Sequence, residues 1–298
     1  MRVFLTGATG LIGRALSVSL LHDGHQVVAL SRGASPELLP GGVERLQGDP
    51  AKPGPWQEVL AGCQACVNLA GEPVAGGRWN AVRKEAIRQS RVEATRNVAA
   101  VIAECGPTVL VQGSAVGFYG SRGDEELTEG SAAGTGFLAE VCQAWEEAAR
   151  PAARRARLVL LRTGIVLARE GGALPQMALP FRLFAGGPIG DGAFWQPWIH
   201  LDDQVSLVRW ALAEPRAEGP VNAAAPAPAR NRDLARAIGA ALSRPSFLPT
   251  PALVVRLAVG EMAEVVTSSQ RVLPRKAESL GFRFTHADLG AALRDLLE

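Results

Sequence analysis

Lysine and tyrosine are scarce in this chain, and their scarcity limits the chemistry that its side chains can perform. The 31 basic residues include only three lysines, Lys52, Lys84 and Lys276, so arginine carries most of the positive charge. Tyr119 is the single tyrosine. A reaction that needs a phenol or an ammonium group therefore has few positions from which to obtain one.

The chain also lacks an excess of one charge and any long apolar run. Its net charge is +2 over 298 residues, which indicates neither nucleic acid nor another polyanion as a partner. No run approaches the ~18 apolar residues that cross a bilayer, and the first residues do not have the form of a signal peptide. We therefore expect a cytoplasmic protein without a nucleic-acid or membrane partner.

Cysteine is present at four positions, of which Cys63 and Cys66 have CxxC spacing. This spacing is found in redox pairs and in halves of zinc sites. No second pair and no neighbouring histidine completes a metal site, and an apolar strand follows at residues 67–70. We favour structural thiols at the start of that strand and expect no metal site.

A glycine-rich turn near the start of the chain is the strongest functional signal. Residues 2–5 predict a strand buried on both faces, and a helical pattern begins directly after Gly13. Gly7 allows the tight turn, Gly10 allows a pyrophosphate to approach the backbone, and Gly13 allows the helix to pack on the strand. The alternative is a turn that uses glycine only for its geometry.

Free amides at the positive end of this first helix are expected to hold the phosphates of a dinucleotide. The residues assigned to the phosphate-binding turn are Gly7, Thr9, Gly10, Leu11, Ile12 and Gly13.

The residues after the second predicted strand, 26–30, indicate which dinucleotide is bound. An acidic residue there binds the ribose 2′-hydroxyl of NAD, whereas an arginine accommodates the 2′-phosphate of NADP. The chain has Ser31 and Arg32, so NADP is favoured over NAD; the alternative is a surface arginine without a ligand. Asp49, near the end of a third strand at 43–46, either meets the adenine amino group or stabilises a turn.

Two further segments are candidates for contact with the cofactor. The small residues after the strand at 65–69, including Ala70 and Gly71, allow a cofactor to pass close to the backbone. A long helix at 81–105 carries Glu85 and Arg91 among apolar positions at helical spacing. These polar residues either face solvent or turn towards the cofactor.

Strands and helices alternate through residues 1–167, which predicts an α/β fold: a Rossmann-type, doubly wound parallel sheet. From about residue 168 glycine-rich, irregular sequence predicts a smaller mixed, mainly helical lobe over 168–298 on the substrate side. A segment at about 201–225 is expected to return to the first domain. Asp202 or Asp203 is the expected cap of the helix that opens this segment.

Several motifs together resemble one known family. They are TGATGLIG at the start, NLAGEP at 68–73, RWNAVRKEAIRQSR at 78–91, GSAVGFYG at 113–120, RTGIVL at 162–167, LPFRLFAGGPIGDG at 179–192, PWIHLDD at 197–203 and GFRFTHADLGAAL at 281–293. The chain resembles the extended short-chain dehydrogenase/reductases of the epimerase/dehydratase group, and within it the atypical epimerase family that includes the human 39U member.

This resemblance implies a Rossmann-type fold with NADP bound across the switch point of the sheet. It implies that Ser31 and Arg32 lie at the 2′-phosphate and that Leu69 and Ala70 lie along the dinucleotide. It further places Glu85 and Arg91 on the neighbouring helix and Val166 near the nicotinamide.

The chain departs from the superfamily at the catalytic Tyr-x-x-x-Lys pair. Gly123 stands four residues after Tyr119, and the helix in which the pair belongs begins Phe137-Leu138-Ala139-Glu140. Ser114 matches the superfamily serine and is the candidate catalytic residue, whereas Tyr119 matches a structural tyrosine. His200 is expected to hold its loop by hydrogen bonding rather than to carry protons.

Two functions remain open from these residues. One is an NADP(H)-dependent oxidoreductase or epimerase-like enzyme that acts on a small carbonyl or alcohol through an unusual proton donor. The other is a non-catalytic NADP(H)-binding protein whose occupancy controls a partner.

Overall fold

The computed structural model describes residues 1–33 and 38–298 as an α/β structure. The strands are β1 (Arg2–Thr6), β2 (Gln26–Ser31), β3 (Glu44–Gln47), β4 (Ala65–Asn68), β5 (Val109–Ala115), β6 (Glu126–Leu127), β7 (Arg157–Thr163), β8 (Ile165–Leu167), β9 (Trp195–Gln196), β10 (Trp198–His200), β11 (Gly219–Ala223), β12 (Ala229–Arg230) and β13 (Arg271–Val272). The helices are α1 (Leu11–His22), α2 (Trp56–Ala61), α3 (Ala81–Glu104), α4 (Phe137–Ala149), α5 (Leu174–Arg182), α6 (Leu201–Ala213), α7 (Asn231–Ala241), α8 (Ala252–Val259), α9 (Ala263–Thr267), α10 (Arg275–Ser279) and α11 (Leu289–Leu297).

Seven parallel strands form the central sheet in the order β11-β7-β5-β4-β1-β2-β3. In this sheet β1 lies between β2 and β4, and Leu5 is in register with Ala29 on one side and Val67 on the other. The strand order reverses at β1, so the crevice between β1 and β4 is the switch point at which doubly wound sheets bind ligands. The predicted fold class is confirmed.

Both faces of the sheet are covered, which explains the apolar run Val3-Phe4-Leu5 in β1. Val3 and Leu5 pack with residues of α1 and α6 on one face. Phe4 points to the opposite face, where it packs with α2 and α3, including Trp56 at a ring-centroid distance of 6.1 Å.

The chain returns to the sheet after residue 167. Strand β11 pairs in parallel with β7, and α6 packs against α1. Helices α5, α7 and α11 form a separate apolar cluster beside the sheet. The proposed boundary at residue 167 stays a prediction, because the returning segment joins both parts.

Some local expectations need correction. Strand β3 begins at Glu44 rather than Val43. The side chain that caps α6 belongs to His200, whose ring accepts a hydrogen bond from the Asp202 amide, so neither predicted aspartate is the cap. Asp203 instead accepts hydrogen bonds from the amides of Thr285 and His286, which ties α6 to the C-terminal region.

The CxxC cysteines are buried in the described part of the chain, and neither forms a disulfide. Cys66 is on β4, and Cys63 donates to the Val59 carbonyl oxygen, as structural thiols do. Across residues 1–33 and 38–298, no helix combines the length and the apolar character that a membrane crossing requires.

Candidate functional site

The glycine turn between β1 and α1 brings three backbone segments into close contact. Gly7 has a φ of +69°, and a Cβ there would lie 2.6 Å from the carbonyl oxygen of Leu69. A Cβ at Gly13 would lie 2.2 Å from the carbonyl oxygen of Gly7, so α1 packs directly on the turn. Only glycine fits at these two positions.

The start of α1 has the form of an anion cradle. Gly10 is its N-cap and provides no side-chain hydrogen bond to the first turn. The first amides of a helix have no intrahelical acceptor, and they carry the positive end of the helix dipole. Leu11 and Ile12 belong to this turn, and Thr9 precedes it, so the predicted phosphate-binding residues are adjacent in the structure.

A buried polar network holds the loop after β4 against the glycine turn. The Thr6 hydroxyl donates to Asn68 Oδ1 at 2.5 Å and accepts from the Ala70 amide at 3.2 Å. The Asn68 amide donates in turn to Thr95 and Gln112. This network was missed by the sequence analysis, although a buried asparagine at the end of an apolar strand is a signal for it.

The end of β2 carries the two residues predicted at the 2′-phosphate. Ser31 donates to the Gly33 carbonyl oxygen at 2.9 Å. Arg32 is 64% exposed and lies 3.1 Å from Glu72, which follows the β4 loop. The Arg32 guanidinium lowers the pKa of Glu72, with a smaller contribution from Arg83. The structure therefore places Arg32 after the carboxyl end of β2, paired with a carboxylate from the segment that follows β4.

Asp49 and Glu85 occupy different surroundings. The Asp49 carboxylate accepts a hydrogen bond from the Ala51 amide at 3.0 Å, which is the turn-stabilising alternative. Glu85 is exposed on α3 and is not among the residues that line the cavity described below. Contact of either residue with a cofactor stays a prediction.

Arg91 points from α3 into the cleft beside the β4 loop. It donates to the carbonyl oxygens of Glu72 and Ile87, both at 3.0 Å, and its guanidinium carbon lies 5.1 Å from the Trp145 ring centroid. A Cβ at Gly71 would lie 3.0 Å from the Arg91 guanidinium carbon, which explains the small residue there.

A cavity of about 360 Å³ opens where β5 and β7 end, between α4 and the C-terminal region. Ile12 and Val166 are part of its wall, so it adjoins the glycine turn. Its polar side includes Arg91, Ser114, Gln196 and Gln270. Much of the remaining wall is apolar and includes Leu138, Ala139, Val141, Cys142 and Trp145 from α4.

Ser114 lies on the cavity wall, but its proton is engaged with a buried carboxylate. Its hydroxyl donates to Glu146 Oε1 at 2.7 Å. Glu146 also accepts two hydrogen bonds from Arg162, at 2.8 and 2.9 Å. To donate to a substrate carbonyl, the Ser114 hydroxyl would therefore have to break its hydrogen bond to the charged Glu146. The catalytic role of Ser114 stays a prediction.

Tyr119 belongs to the same buried network and not to the cavity wall. Its hydroxyl donates to Asn222 Oδ1 at 2.6 Å and accepts from Arg162 at 3.0 Å. Burial raises the pKa of Tyr119 to about 12. These contacts are those of a structural tyrosine.

The part of α4 that faces the cavity offers no replacement for the missing Tyr-x-x-x-Lys pair. Leu138 and Cys142, four residues apart, both contribute to the wall. Burial raises the pKa of the Cys142 thiol to about 12, so it is a neutral group at physiological pH. Among the described lining residues there is neither a tyrosine nor a lysine.

His200 has both ring nitrogens engaged at the start of α6. Nδ1 accepts from the Asp202 amide at 3.1 Å, so Nε2 carries the proton and faces Asp295 Oδ2 at 3.2 Å. The ring is 2% exposed and stacks on His286. This arrangement holds the loop, as the sequence analysis favoured.

A glycine-rich turn at the switch point of a parallel sheet, with a cavity beside it, defines the class of dinucleotide-binding α/β proteins. The model of the NAD dependent epimerase/dehydratase family matches residues 3–224, and a domain of unknown function, DUF1731, matches residues 250–296. The chain belongs to the NAD dependent epimerase/dehydratase family.

Curated relatives narrow the family to its SDR39U1-type branch, which confirms the resemblance stated above. The chloroplastic SDR39U1 homolog of Arabidopsis thaliana is 40% identical over all of this chain and 87% of its own length. The epimerase family protein YfhF of Bacillus subtilis is 38% identical over all of this chain and 98% of its own length.

Solved structures agree with this placement. Human epimerase family protein SDR39U1, crystallised with NADPH, is 35% identical, with a TM-score of 0.90 over 100% of this chain and 99% of the human chain. A nucleoside-diphosphate sugar epimerase of Corynebacterium glutamicum is 38% identical, with a TM-score of 0.81 over all of this chain and 58% of the other.

Proposed function

We propose that this protein binds NADP(H) and uses it in an oxidoreductase or epimerase-like reaction on a small carbonyl or alcohol. The observation that carries the proposal is the cradle at the start of α1, where glycine is required at Gly7 and Gly13 by backbone contacts. The relative crystallised with NADPH supports the same cofactor. Arg32, which follows the carboxyl end of β2 and is largely exposed, supports the phosphorylated form.

The residues at the β4 loop and the cavity suit the rest of the dinucleotide. Leu69 and Ala70 would lie along it, Arg91 would supply positive charge from α3, and Val166 would adjoin the nicotinamide. The buried network under Ala70 fixes the loop before any ligand arrives. When bound, the cofactor supplies or accepts a hydride.

The cavity wall indicates the kind of substrate. Its apolar side on α4 favours a compound with an apolar body, and its polar side can orient one oxygen. Because Ser114 donates to Glu146, the lone pairs of Ser114 remain available, and an alcohol could donate to them. No tyrosine or lysine among the described lining residues assists proton transfer, so we expect slow turnover with ordinary ketones.

The experiment has two stages. NADPH binding to the purified protein is measured first; absence of binding contradicts the proposal. Enzyme with one equivalent of NADPH is then mixed with a panel of aldehydes, ketones and quinones, and the absorbance of NADPH is followed over a single turnover. We expect at least one compound to oxidise the bound NADPH faster than it oxidises NADPH free in solution.

The second candidate is a non-catalytic NADP(H)-binding protein whose occupancy controls a partner. The specific observation in its favour is the pairing of Ser114 with Glu146 beside a helix that presents Leu138 and Cys142 to the cavity. Tight NADPH binding without oxidation by any compound of the panel would establish this alternative in place of the enzyme.

A further inference from the structure

Glu72 lies between two guanidinium groups at the edge of the proposed cofactor cleft. Its Oε1 is 3.1 Å from Arg32 Nη2, and its Oε2 is 3.4 Å from Arg83 Nη1. Arg32 follows β2, whereas Arg83 is in the first turn of α3. The carboxylate therefore connects two elements that flank the site proposed for the adenosine ribose.

Neighbouring contacts hold the backbone of Glu72 in place. Its amide donates to the Ser90 hydroxyl at 3.0 Å, and its carbonyl oxygen accepts from Arg91 at 3.0 Å. Arg32, in contrast, is 64% exposed, and a long exposed side chain reorients easily. Of the two members of this ion pair, Arg32 is the one that can move to a new partner.

The surroundings of Arg83 restrict its side chain more than those of Arg32 do. It is 23% exposed, and one of its amino groups donates to the carbonyl oxygen of Pro73. Its Nε is buried and has no hydrogen-bond partner within the described chain. The Arg83 guanidinium therefore keeps a positive charge beside Glu72 even when Arg32 binds another partner.

On the basis of the proposed NADP(H) binding, we propose that Glu72 competes with the 2′-phosphate for Arg32, and that Arg83 permits the exchange by keeping Glu72 paired. A phosphate dianion that takes Arg32 would leave the Glu72 carboxylate close to it, and like charges repel. Arg83 offsets that repulsion. NADH has a hydroxyl at this position and does not require the exchange, so Glu72 and Arg83 adjust the preference for NADPH that Arg32 provides.

The test measures NADPH and NADH affinities by titration calorimetry for the wild type, Glu72→Gln, Arg83→Gln and the double variant. Glu72→Gln should tighten NADPH binding about three- to fivefold, the range expected for one partly exposed ion pair. Arg83→Gln should weaken it by a similar factor. NADH affinity should change less than about twofold, because its 2′-hydroxyl carries no charge.

The double variant separates this exchange from direct phosphate binding by Arg83. If Arg83 acts through Glu72, the double variant should bind NADPH as tightly as Glu72→Gln alone. If Arg83→Gln weakens NADPH binding equally in both backgrounds, Arg83 contacts the phosphate itself and the exchange is refuted. The same titrations with 2′,5′-ADP and 5′-ADP check that the effect depends on the 2′-phosphate.

Glu44→Gln is the matched control, because Glu44 pairs with Arg2 at the amino-terminal ends of β3 and β1, whereas Arg32 follows the carboxyl end of β2; the substitution should not alter either affinity. Failure of the wild type to bind NADPH would refute the proposed function. Normal NADPH binding with an unchanged NADPH-to-NADH ratio in Glu72→Gln and Arg83→Gln would refute only the exchange.

Discussion

Arg32 is the single side chain on which the expected preference for NADP(H) depends most directly. Its charge follows β2, where the adenosine ribose is bound in this fold class, and it has no second basic residue beside it in the Ser31-Arg32-Gly33 sequence. We expect Arg32→Ala to weaken NADPH binding about tenfold or more, since a charge-assisted hydrogen bond to phosphate is lost. Fluorescence titration with NADPH and NADH measures the change.

NADH serves as the internal control for Arg32→Ala, because its affinity should change by less than about twofold. Equal losses for the two cofactors would show that Arg32 contacts a part common to both and would remove the 2′-phosphate assignment.

At the residue scale, what could be predicted depended on how local the physical reason was. Gly7 and Gly13 follow from a turn that is complete within thirteen residues, so their spacing was sufficient. The partner of Arg32 is Glu72, forty positions away, and that of Ser114 is Glu146, thirty-two positions away. Such pairs depend on where the segment after β4 and helix α4 lie in the folded chain, which no short motif specifies.

At the scale of elements, α1 packs so closely on the turn after β1 that a methyl group added at Gly13 should disrupt the contact. A Cβ at Gly13 would lie 2.2 Å from the Gly7 carbonyl oxygen, closer than the backbone can tolerate. We expect Gly13→Ala to lower the free energy of unfolding by about 1–3 kcal/mol and to abolish measurable NADPH binding. Urea unfolding and titration check these effects.

Gly41→Ala is a suitable control, because a Cβ there meets open space and its backbone is not left-handed. Its stability should match that of the wild type within about 0.5 kcal/mol. A Gly13→Ala variant that binds NADPH normally would contradict the close packing of α1 on the turn.

The ion pair between Glu146 on α4 and Arg162 on β7 joins these two elements inside the protein. The two side chains are 9% and 5% exposed. Replacing one partner leaves a buried charge uncompensated, so Glu146→Gln should lower the free energy of unfolding by about 3–5 kcal/mol. Chemical denaturation measures the loss.

The neighbouring Glu147→Gln provides the control, since Glu147 pairs with Arg150 and both are largely exposed. It should change stability by less than about 1 kcal/mol. Similar effects of the two substitutions would mean that Glu146 is not the buried link between α4 and β7.

The cap of α6 predicts a pH dependence. Burial lowers the pKa of His200 from 6.5, and His286 lowers it further, although Asp202 and Asp295 act in the opposite direction. The unfolded chain therefore binds more protons, so this contribution to stability is complete above about pH 6.5 and is lost as pH falls below that value. His200→Asn keeps a capping oxygen but does not titrate.

We expect His200→Asn to reduce the loss of stability between pH 8 and pH 5.5, as measured by urea unfolding at both values. His22→Asn is the control, because His22 is 88% exposed at the end of α1 and caps no helix start. An unchanged pH slope in His200→Asn would show that other groups control the acid sensitivity.

At the scale of the whole molecule, the alternation of apolar strands and helices was sufficient to predict the parallel sheet. It was not sufficient for the C-terminal lobe, in which β9, β12 and β13 have two residues each and pair outside the main sheet, β13 with the equally short β6 of the first domain. A two-residue strand has no periodicity to recognise. His200 illustrates the same limit. His200, Asp202 and Asp203 stand close together in the sequence, and each has a side chain that could cap α6. Asp203 instead accepts hydrogen bonds from the amides of residues 285 and 286, a contact that the local sequence does not reveal.

Cofactor binding should stabilise the molecule as a unit, because the proposed site takes residues from the turn after β1, the β4 loop, α3 and β8. A ligand at a hundred times its Kd raises the free energy of unfolding by about 2.7 kcal/mol. For a chain of this size that corresponds to a rise in Tm of about 4 °C. NADPH should produce this rise at a concentration at which NADH, bound more weakly, produces a smaller one.

Arg32→Ala should make the two shifts equal, and this equality separates recognition of the 2′-phosphate from binding to the glycine turn. A saturating level of NADPH that binds in titration but leaves Tm unchanged would show that the unfolded chain binds it equally well, which contradicts a preformed cradle.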